Sequence, residues 1–465
     1  MLIIIGEAMI NERIFKAYDI RGIFPRDLDG STAKMVGYAF GRYIGEGERI
    51  GLCMDVRTSS PELKRNAMQG LLDSGLKIVD IGVAPTPVLH FAVSYYKLDG
   101  GMMITASHNP KEWNGFKFYK SGSVSIGLEN GLSEIRDIAE RPEYVKKEHR
   151  NVENLEQEVL EDYKRFLLDR LKAGKGMRVG IDPGNGAYSG IAKDIFKEAG
   201  AEVFAINDSR NGNFPNRSPE PKDESLSGLK ELVSKEKLDF GIAFDADGDR
   251  GVFVNNNAEV LRGDRTLAII AMNMIKKGDK LVFDVSCSEA VEDGLRQSGG
   301  IPVVTRIGRT FISKKMLEVG AGIGGELSGH TYFADMYYAD DPMFAGLKIM
   351  EIISNRKKSL EELGKELPDY KSIVLEMPIE DSLKSKVMEI IHKELSEKYE
   401  PITIDGIKVK TDEGWFIIRV SNTTPMIKIV AEAKNSEDLE KVVRIPKEIF
   451  EEALSHVSGF RDKNL

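Results

Sequence analysis

Three related α/β domains with mixed, largely parallel sheets, followed by a C-terminal α+β domain around a central cleft, is the architecture that the 465-residue sequence predicts. Three observations lead to it. A strand–helix–strand–helix–strand pattern recurs three times at a spacing of about one small domain. The last strand of each copy opens into a loop rich in polar residues and glycine. Beyond residue 370 the pattern becomes strand-rich, with several short strands following a single helix, which is an antiparallel, α+β pattern. The predicted domains are 1–155, 156–255, 256–370 and 371–465.

The elements follow in order. In the first copy, strands are expected at 50–55, at 77–81 after Gly75, and at 102–105, where the apolar Met102-Met103-Ile104 is entered through Gly100-Gly101. In the second copy they are expected at 178–182, at 201–206 after Gly200, and at 240–244. The third offers 280–285, 301–305 after Gly299-Gly300, and 322–324. Strands alternating with helical patterns imply parallel pairing. The tail reads as a strand at 372–377 and an amphipathic helix at 382–399. Short strands then lie around Ile402, Val409, 416–420 and 427–431, and a charged helix from Glu437 is expected to be interrupted by Pro446.

Composition sets the class. Hydrophobic content of 41% and charged content of 30% describe a soluble globular chain. No apolar run approaches the roughly 20 residues that a membrane helix needs. The opening Leu2-Ile3-Ile4-Ile5 is too short for a signal segment and has no basic residue before it, and Met9 is read as an alternative start. Cys53 and Cys287 are isolated in strand-like runs, and the six histidines show no H-E-x-x-H spacing. Asn422-Thr423-Thr424 matches a glycosylation sequon but carries no weight without a secretory signal. A reducing cytoplasm is the expected compartment. A net charge of −9 argues against nucleic acid as a partner. It leaves room for a small anionic substrate where basic groups are concentrated.

The chemistry is expected in the three strand-end loops, which converge if the domains pack around one cleft. In the first, Thr105-Ala106-Ser107-His108-Asn109-Pro110 leaves Ser107 on a loop. Read alone, such a serine is a turn or N-cap residue. A nucleophile elbow would need glycine at Thr105 and Asn109. His108 is set aside as a base because adjacent side chains usually diverge. Asn114-Gly115 signals a tight hairpin, after which Phe116 and Phe118 face one side and Lys117, a candidate for proton transfer, the other. In the second loop, Asp245, Asp247 and Asp249 alternate with small residues, so their carboxylates share a side and suit Mg²⁺. An EF-hand fails, because Arg250 and Asn256 stand where it needs glycine and glutamate. Gly184-Asn185-Gly186 with Gly190 is a near miss for a dinucleotide fingerprint, its third glycine one residue late. There is no G-x-x-x-x-G-K-[ST].

The sequence resembles the α-D-phosphohexomutase superfamily, and the motifs span the chain in order. TASHNP followed by NGFK resembles the family's active-site segment, FDADGDR its metal loop, and GGELSGH its sugar-binding loop. Arg419 to Pro425 resembles the phosphate clamp of its last domain, and Tyr18-Asp19-Ile20-Arg21-Gly22 its opening segment. The resemblance implies that Ser107 carries a phosphoryl group and that Ser107, Asp245, Asp247 and Asp249 hold Mg²⁺. It implies that Arg21, Lys117 and Arg250 serve catalysis. Glu326, Ser328, His330, Arg309, Arg419, Ser421, Asn422 and Thr423 are implied to bind substrate. The expected activity is that of a phosphomannomutase/phosphoglucomutase, interconverting hexose 1- and 6-phosphates through a hexose 1,6-bisphosphate that also serves as activator. Asp55 to Ser60 and 214–221 match less diagnostic segments, read as structural turns.

Departures bear on this. Ile307-Gly308-Arg309 stands where many relatives have histidine, so phosphate contact there falls to Arg309. Ser286 stands where some bacterial members have a substrate-binding lysine. Phosphoglucosamine mutases, the alternative reading, usually carry a polar residue at the position of Leu327, so an amino sugar is expected to be a poor substrate. A silent sugar-phosphate-binding protein on the same fold is the alternative of another class. The joint presence of Ser107, Lys117 and the three aspartates disfavours it.

Overall fold

In the computed structural model, residues 10–140, 146–147, 151–421 and 425–459 are described. The opening residues through Met9, and Asn422 and Thr423 of the expected clamp, lie outside the described residues. The first sheet comprises Ile20–Ile23 (β1), Arg49–Met54 (β2), Lys77–Val83 (β3), Gly100–Ile104 (β4), Trp113–Lys120 (β5), Val124–Ser125 (β6) and Asn151–Asn154 (β7). Its order is β1-β5-β4-β2-β3-β7, with β6 on β5. The second comprises Arg178–Asp182 (β8), Glu202–Ala205 (β9), Phe240–Phe244 (β10), Gly251–Asn255 (β11) and Val260–Leu261 (β12), ordered β12-β11-β10-β8-β9. The third comprises Lys280–Asp284 (β13), Ile301–Thr305 (β14), Ile323–Gly325 (β15), Thr331–Phe333 (β16) and Ala339–Asp340 (β17), ordered β14-β13-β15-β16-β17.

One plan is therefore used three times. The middle strands β2, β8 and β13 each pair in parallel with the next strand in sequence and with the strand that opens into a candidate loop. An antiparallel return strand, β5, β11 or β16, lies outside each loop strand. The parallel pairs form the centre of each sheet, and the antiparallel strands extend it. Burial follows the pattern: the loop strands β4, β10 and β15 have no exposed residue. A strand covered on both faces needs the continuous apolar or glycine run that these segments show.

The tail folds as Lys371–Pro378 (β18), Ile407–Lys410 (β19), Gly414–Val420 (β20) and Met426–Ala433 (β21), all antiparallel, backed by helices Asp381–Lys398 and Ser436–Gly459. Two expectations change here. Ile402 makes only an isolated bridge to Lys408 rather than a strand. Pro446 does not interrupt its helix, which continues on both sides of it. Val442 and Val443 before it, and Ile449, Phe450 and Ala453 after it, are buried against the sheet. That burial outweighs a missing backbone bond worth about 3 kcal/mol.

The last domain docks on the third through Trp415, Ile417 and Val430 against Val285. At its edge the Lys408 ammonium lies 3.6 Å from the Trp415 ring centroid and donates to the Val285 carbonyl at 2.9 Å.

The expected hairpin at Asn114-Gly115 is also corrected, since both residues lie inside β5. Gly115 is opposite Arg21, and a Cβ there would sit 1.9 Å from the Ile20 carbonyl oxygen. The glycine is required by close approach of β1, which brings Arg21 and Lys117 to one side of the sheet. Phe116 and Phe118 pack in the core beneath, as their alternation with Lys117 predicts. Gly115→Ala is therefore expected to cost about 1–3 kcal/mol. Thermal unfolding should show the first transition lowered by several degrees, about 2–4 °C per kcal/mol. An unchanged midpoint would contradict the packing argument.

Candidate active site

A carboxylate at the end of each middle strand ties down the loop beside it. Asp55 follows β2, accepts from Ser60 and Thr105 hydroxyls at 2.6 and 2.8 Å, and Thr105 in turn accepts the Ser107 amide at 2.8 Å. Asp182 ends β8 and pairs with buried Arg217, which donates on to the carbonyl of Phe244, the residue before Asp245. Asp284 ends β13 and accepts the Leu327 amide at 2.9 Å. Loops that carry chemistry are thus fixed to strand ends.

In the first loop Ser107 is 1% exposed with φ at +51°, a left-handed conformation that a non-glycine residue adopts only when its surroundings impose it. Its hydroxyl donates to Asp245 at 3.0 Å. The same backbone turn brings His108 Nδ1 to 3.3 Å from the Ser107 oxygen, so these neighbours do not diverge as their adjacency suggests. Burial holds the His108 imidazole well below its usual pKa, and Arg250 and Arg21 act the same way, so it is neutral. Arg57, read from sequence as part of a turn, is buried and donates to the carbonyl of Ser107 itself. The signal that could have found it is an Asp-x-Arg placed directly after a strand that leads to the cleft.

The second loop enters from the neighbouring domain. Asp245, Asp247 and Asp249 are buried, and each offers one oxygen within 4.8 Å of the others. Lys117 (2% exposed) bonds both Asp247 and Asp249, and Thr86 donates to Asp247 at 2.8 Å. Among the described residues, one oxygen each of Asp247 and Asp249 is buried without a partner. Burial, with Asp249 and Asp247 beside it, pushes the Asp245 carboxyl up to about 8. Orphaned buried carboxylate oxygens converging in this way fit a hard divalent cation, which would satisfy them and relieve the repulsion. The cluster is a candidate metal site.

The third loop faces both. Glu326 accepts from Tyr332 at 2.6 Å and from Ser328 at 3.3 Å, so its carboxylate is held in place. Arg250 donates through Nε to His330 Nε2 at 3.0 Å, and His330 Nδ1 lies 2.7 Å from Asp340. That pairing places the imidazole proton on Nδ1. Arg21 grips Asp19 with two nitrogens and also bonds Asn109 of the serine loop. Arg309 lines the cleft while donating to the Tyr119 hydroxyl at 3.0 Å and lying 3.6 and 3.5 Å from Asp19 and Asp249. It bridges three domains from where a shorter imidazole would be expected.

Ser107, Lys117, Arg21, Arg250, Asp249, Arg309, Glu326, Ser328 and His330 line one cleft of about 810 Å³, with Arg419 and Ser421 of the last domain on its far side. Asp245 and Asp247 sit behind its wall. The lining includes eight basic side chains, Arg21, Lys117, Arg250, Arg309 and Arg419 among them, interspersed with eight acidic ones. Among the described residues no helix is long and apolar enough to cross a membrane.

Comparison with known proteins matches this arrangement domain by domain. Sequence models of phosphoglucomutase/phosphomannomutase α/β/α domains I, II and III match residues 12–146, 158–258 and 262–370, and that of the C-terminal domain matches 374–449. A phosphomannomutase/phosphoglucomutase of Pseudomonas aeruginosa is 33% identical over 455 residues, 96% of each chain. A probable phosphoglucosamine mutase of Pyrococcus abyssi is 35% identical over 453 residues, 96% of this chain and all of the other. A crystal structure of a phosphoglucomutase/phosphomannomutase family protein from Burkholderia thailandensis superposes with a TM-score of 0.87 at 29% identity, covering 97% of this chain and 98% of that one. The chain therefore belongs to the phosphoglucomutase/phosphomannomutase family and is an enzyme of the phosphotransferring mutase type.

Proposed function

We propose that this protein interconverts the 1- and 6-phosphates of mannose and glucose by shuttling a phosphoryl group through Ser107. The observation that carries the reading is the meeting of Ser107 with Asp245 and with the Lys117-bound Asp247 and Asp249. In the forward half-reaction a hydroxyl oxygen of the hexose monophosphate bonds to the phosphorus on Ser107. The bond from phosphorus to the Ser107 oxygen breaks, and a hexose 1,6-bisphosphate results. The bisphosphate turns over, and its other phosphate returns to Ser107. Arg419, Ser421, Asn422 and Thr423 would hold whichever phosphate is not reacting, by charge and by hydroxyl and backbone donors. Asp245, Asp247, Asp249 and Ser107 would hold Mg²⁺, which when bound supplies Lewis-acid stabilisation of the charge that spreads over the transferring group.

This chain's own residues supply the rest. Lys117 is held between two carboxylates and lines the same cleft as Ser107, placed to move a proton at the reacting hydroxyl and to offset phosphoryl charge. Arg21 and Arg250 add fixed positive charge around the same point. Glu326 presents carboxylate oxygens and Ser328, whose proton is directed to Glu326, its hydroxyl oxygen as acceptors for sugar hydroxyls. If they grip C3 and C4, as the family resemblance implies, the pocket reads what glucose and mannose share. Ser286 directs its hydroxyl proton to Asp284, and the Leu327 amide is already bonded to the same carboxylate. Neither group is then free to donate to a C2 substituent, and preference between the epimers should stay within roughly 1–3 kcal/mol.

The second reading is a phosphoglucosamine mutase, favoured by the 35% identity to the Pyrococcus abyssi relative. Initial rates with the 1-phosphates of glucose and mannose and with glucosamine 6-phosphate, primed by glucose 1,6-bisphosphate in Mg²⁺, decide between them. The expected result is chelator-sensitive turnover of both neutral sugars, their kcat/KM values within about 10²-fold. Turnover of glucosamine 6-phosphate alone would select the second reading, and no turnover of any would overturn both.

Lys117→Met is expected to lower kcat by about 10²- to 10⁴-fold. Ser107 should remain able to accept phosphate from the bisphosphate, as read by intact mass. Normal turnover would reduce Lys117 to a steering charge.

A further inference from the structure

We infer that Arg57 is a positioning residue for phosphoryl transfer, acting by fixing the backbone of the loop that presents Ser107; the inference rests on the reading of Ser107 as phosphoryl carrier. Arg57 lines no part of the cleft, and its side chain is wholly enclosed. Nη2 donates to the carbonyls of Ser107 and Asn109, each at 2.6 Å, and Nη1 to those of Pro110 and Trp113 at 2.6 and 3.0 Å. Nε donates to Asp55 at 3.0 Å. A guanidinium has five N–H donors, and all five are accounted for. Four carbonyls of one loop converge on one cation, which is far more than a fold needs to close a turn.

The consequence at Ser107 is conformational. Its φ of +51° is held from both sides, by Arg57 on its carbonyl and by Thr105 on its amide. A trans peptide sets N–H opposite C=O, so drawing the Ser107 carbonyl back to Arg57 turns the His108 amide away from it. Among the described residues that amide has no acceptor. The hydroxyl of the residue so held donates to Asp245.

The clamp is closed by the second domain. The Phe214 ring lies 5.4 Å from the guanidinium carbon, and a Cβ on Gly212 would sit 2.4 Å from the Val56 carbonyl oxygen. Arg57 is therefore locked at the seam between the domain that carries the serine and the domain that carries the acidic loop. Arg217 repeats the arrangement on the acidic loop, bonding Asp182 and the Phe244 carbonyl.

Arg57→Lys keeps a cation beside Asp55, but three donors on one nitrogen cannot span four carbonyls. The test compares wild type and this variant for kcat and KM with glucose 1-phosphate, Mg²⁺ affinity by calorimetry, and the rate of Ser107 phosphorylation from glucose 1,6-bisphosphate. Misplacing a reacting group by about 1 Å costs roughly 10²-fold, so kcat and the phosphorylation rate should fall together by about that factor. KM should stay within about threefold, whereas Mg²⁺ affinity should fall, since Ser107 is one of the proposed ligands. Asp55→Asn with Arg57→Gln, which removes both charges together, should show the same split if the lysine variant folds poorly. A kcat within twofold of wild type in either soluble variant would overturn the inference. So would insolubility of both, which assigns Arg57 to the fold alone. A wild type without turnover would overturn the mutase reading and this inference with it, and the wild-type assay separates that case from the others.

Discussion

Three carboxylates buried within reach of one another are the constraint on which the rest of the structure depends. At an effective dielectric constant near 20, two like charges about 4 Å apart repel by about 4 kcal/mol. Within their own domain Arg250 offsets part of this repulsion at Asp245 and Asp249. Further compensation comes from the neighbouring domains. The first domain sends Lys117 and Thr86, and the third sends Arg309. Opposite charge supplied across domain boundaries does two things at once. It makes the acidic loop tolerable, and it sets Ser107, the arginines and Glu326 around a common space. A cation held by the orphaned oxygens would complete the balance.

The threefold plan explains how that space arises. Each middle strand ends in a carboxylate, Asp55, Asp182 or Asp284, and each carboxylate fixes the loop of the strand beside it. The three loops inherit equivalent positions because the three sheets share a strand order. Their chemistry differs because only loop residues differ, a serine here, aspartates there, a glutamate in the third. The fourth domain closes the cleft with a different architecture and a small apolar contact around Trp415. It contributes charge from Arg419 without sharing in the core of the other three.

Much of this was legible in the chain. The nine middle, loop and flanking strands of the repeats were marked by short apolar runs bounded by glycine, and their loops by residue types that have few structural uses in combination. What was not legible depended on contacts between segments far apart in sequence. Gly115 looks like a turn glycine until β1 is laid against it. Pro446 looks like a helix end until both flanks are seen to be buried. His108 looks irrelevant to Ser107 because adjacency normally separates side chains, and only the positive φ brings them together. Arg57 looks like part of a turn because its four acceptors lie about 50 residues downstream. Arg309, expected only to meet phosphate, also spans to two other domains.

The central claim is that Ser107 carries the phosphoryl group, and peptide-resolved intact mass tests it most directly. The protein is incubated with glucose 1,6-bisphosphate and Mg²⁺, digested and mapped, then chased with glucose 1-phosphate. The account predicts one phosphoryl group on the peptide containing Ser107, discharged by the chase and absent from Ser107→Ala. Phosphate on another residue, or near-normal turnover by Ser107→Ala, would contradict it.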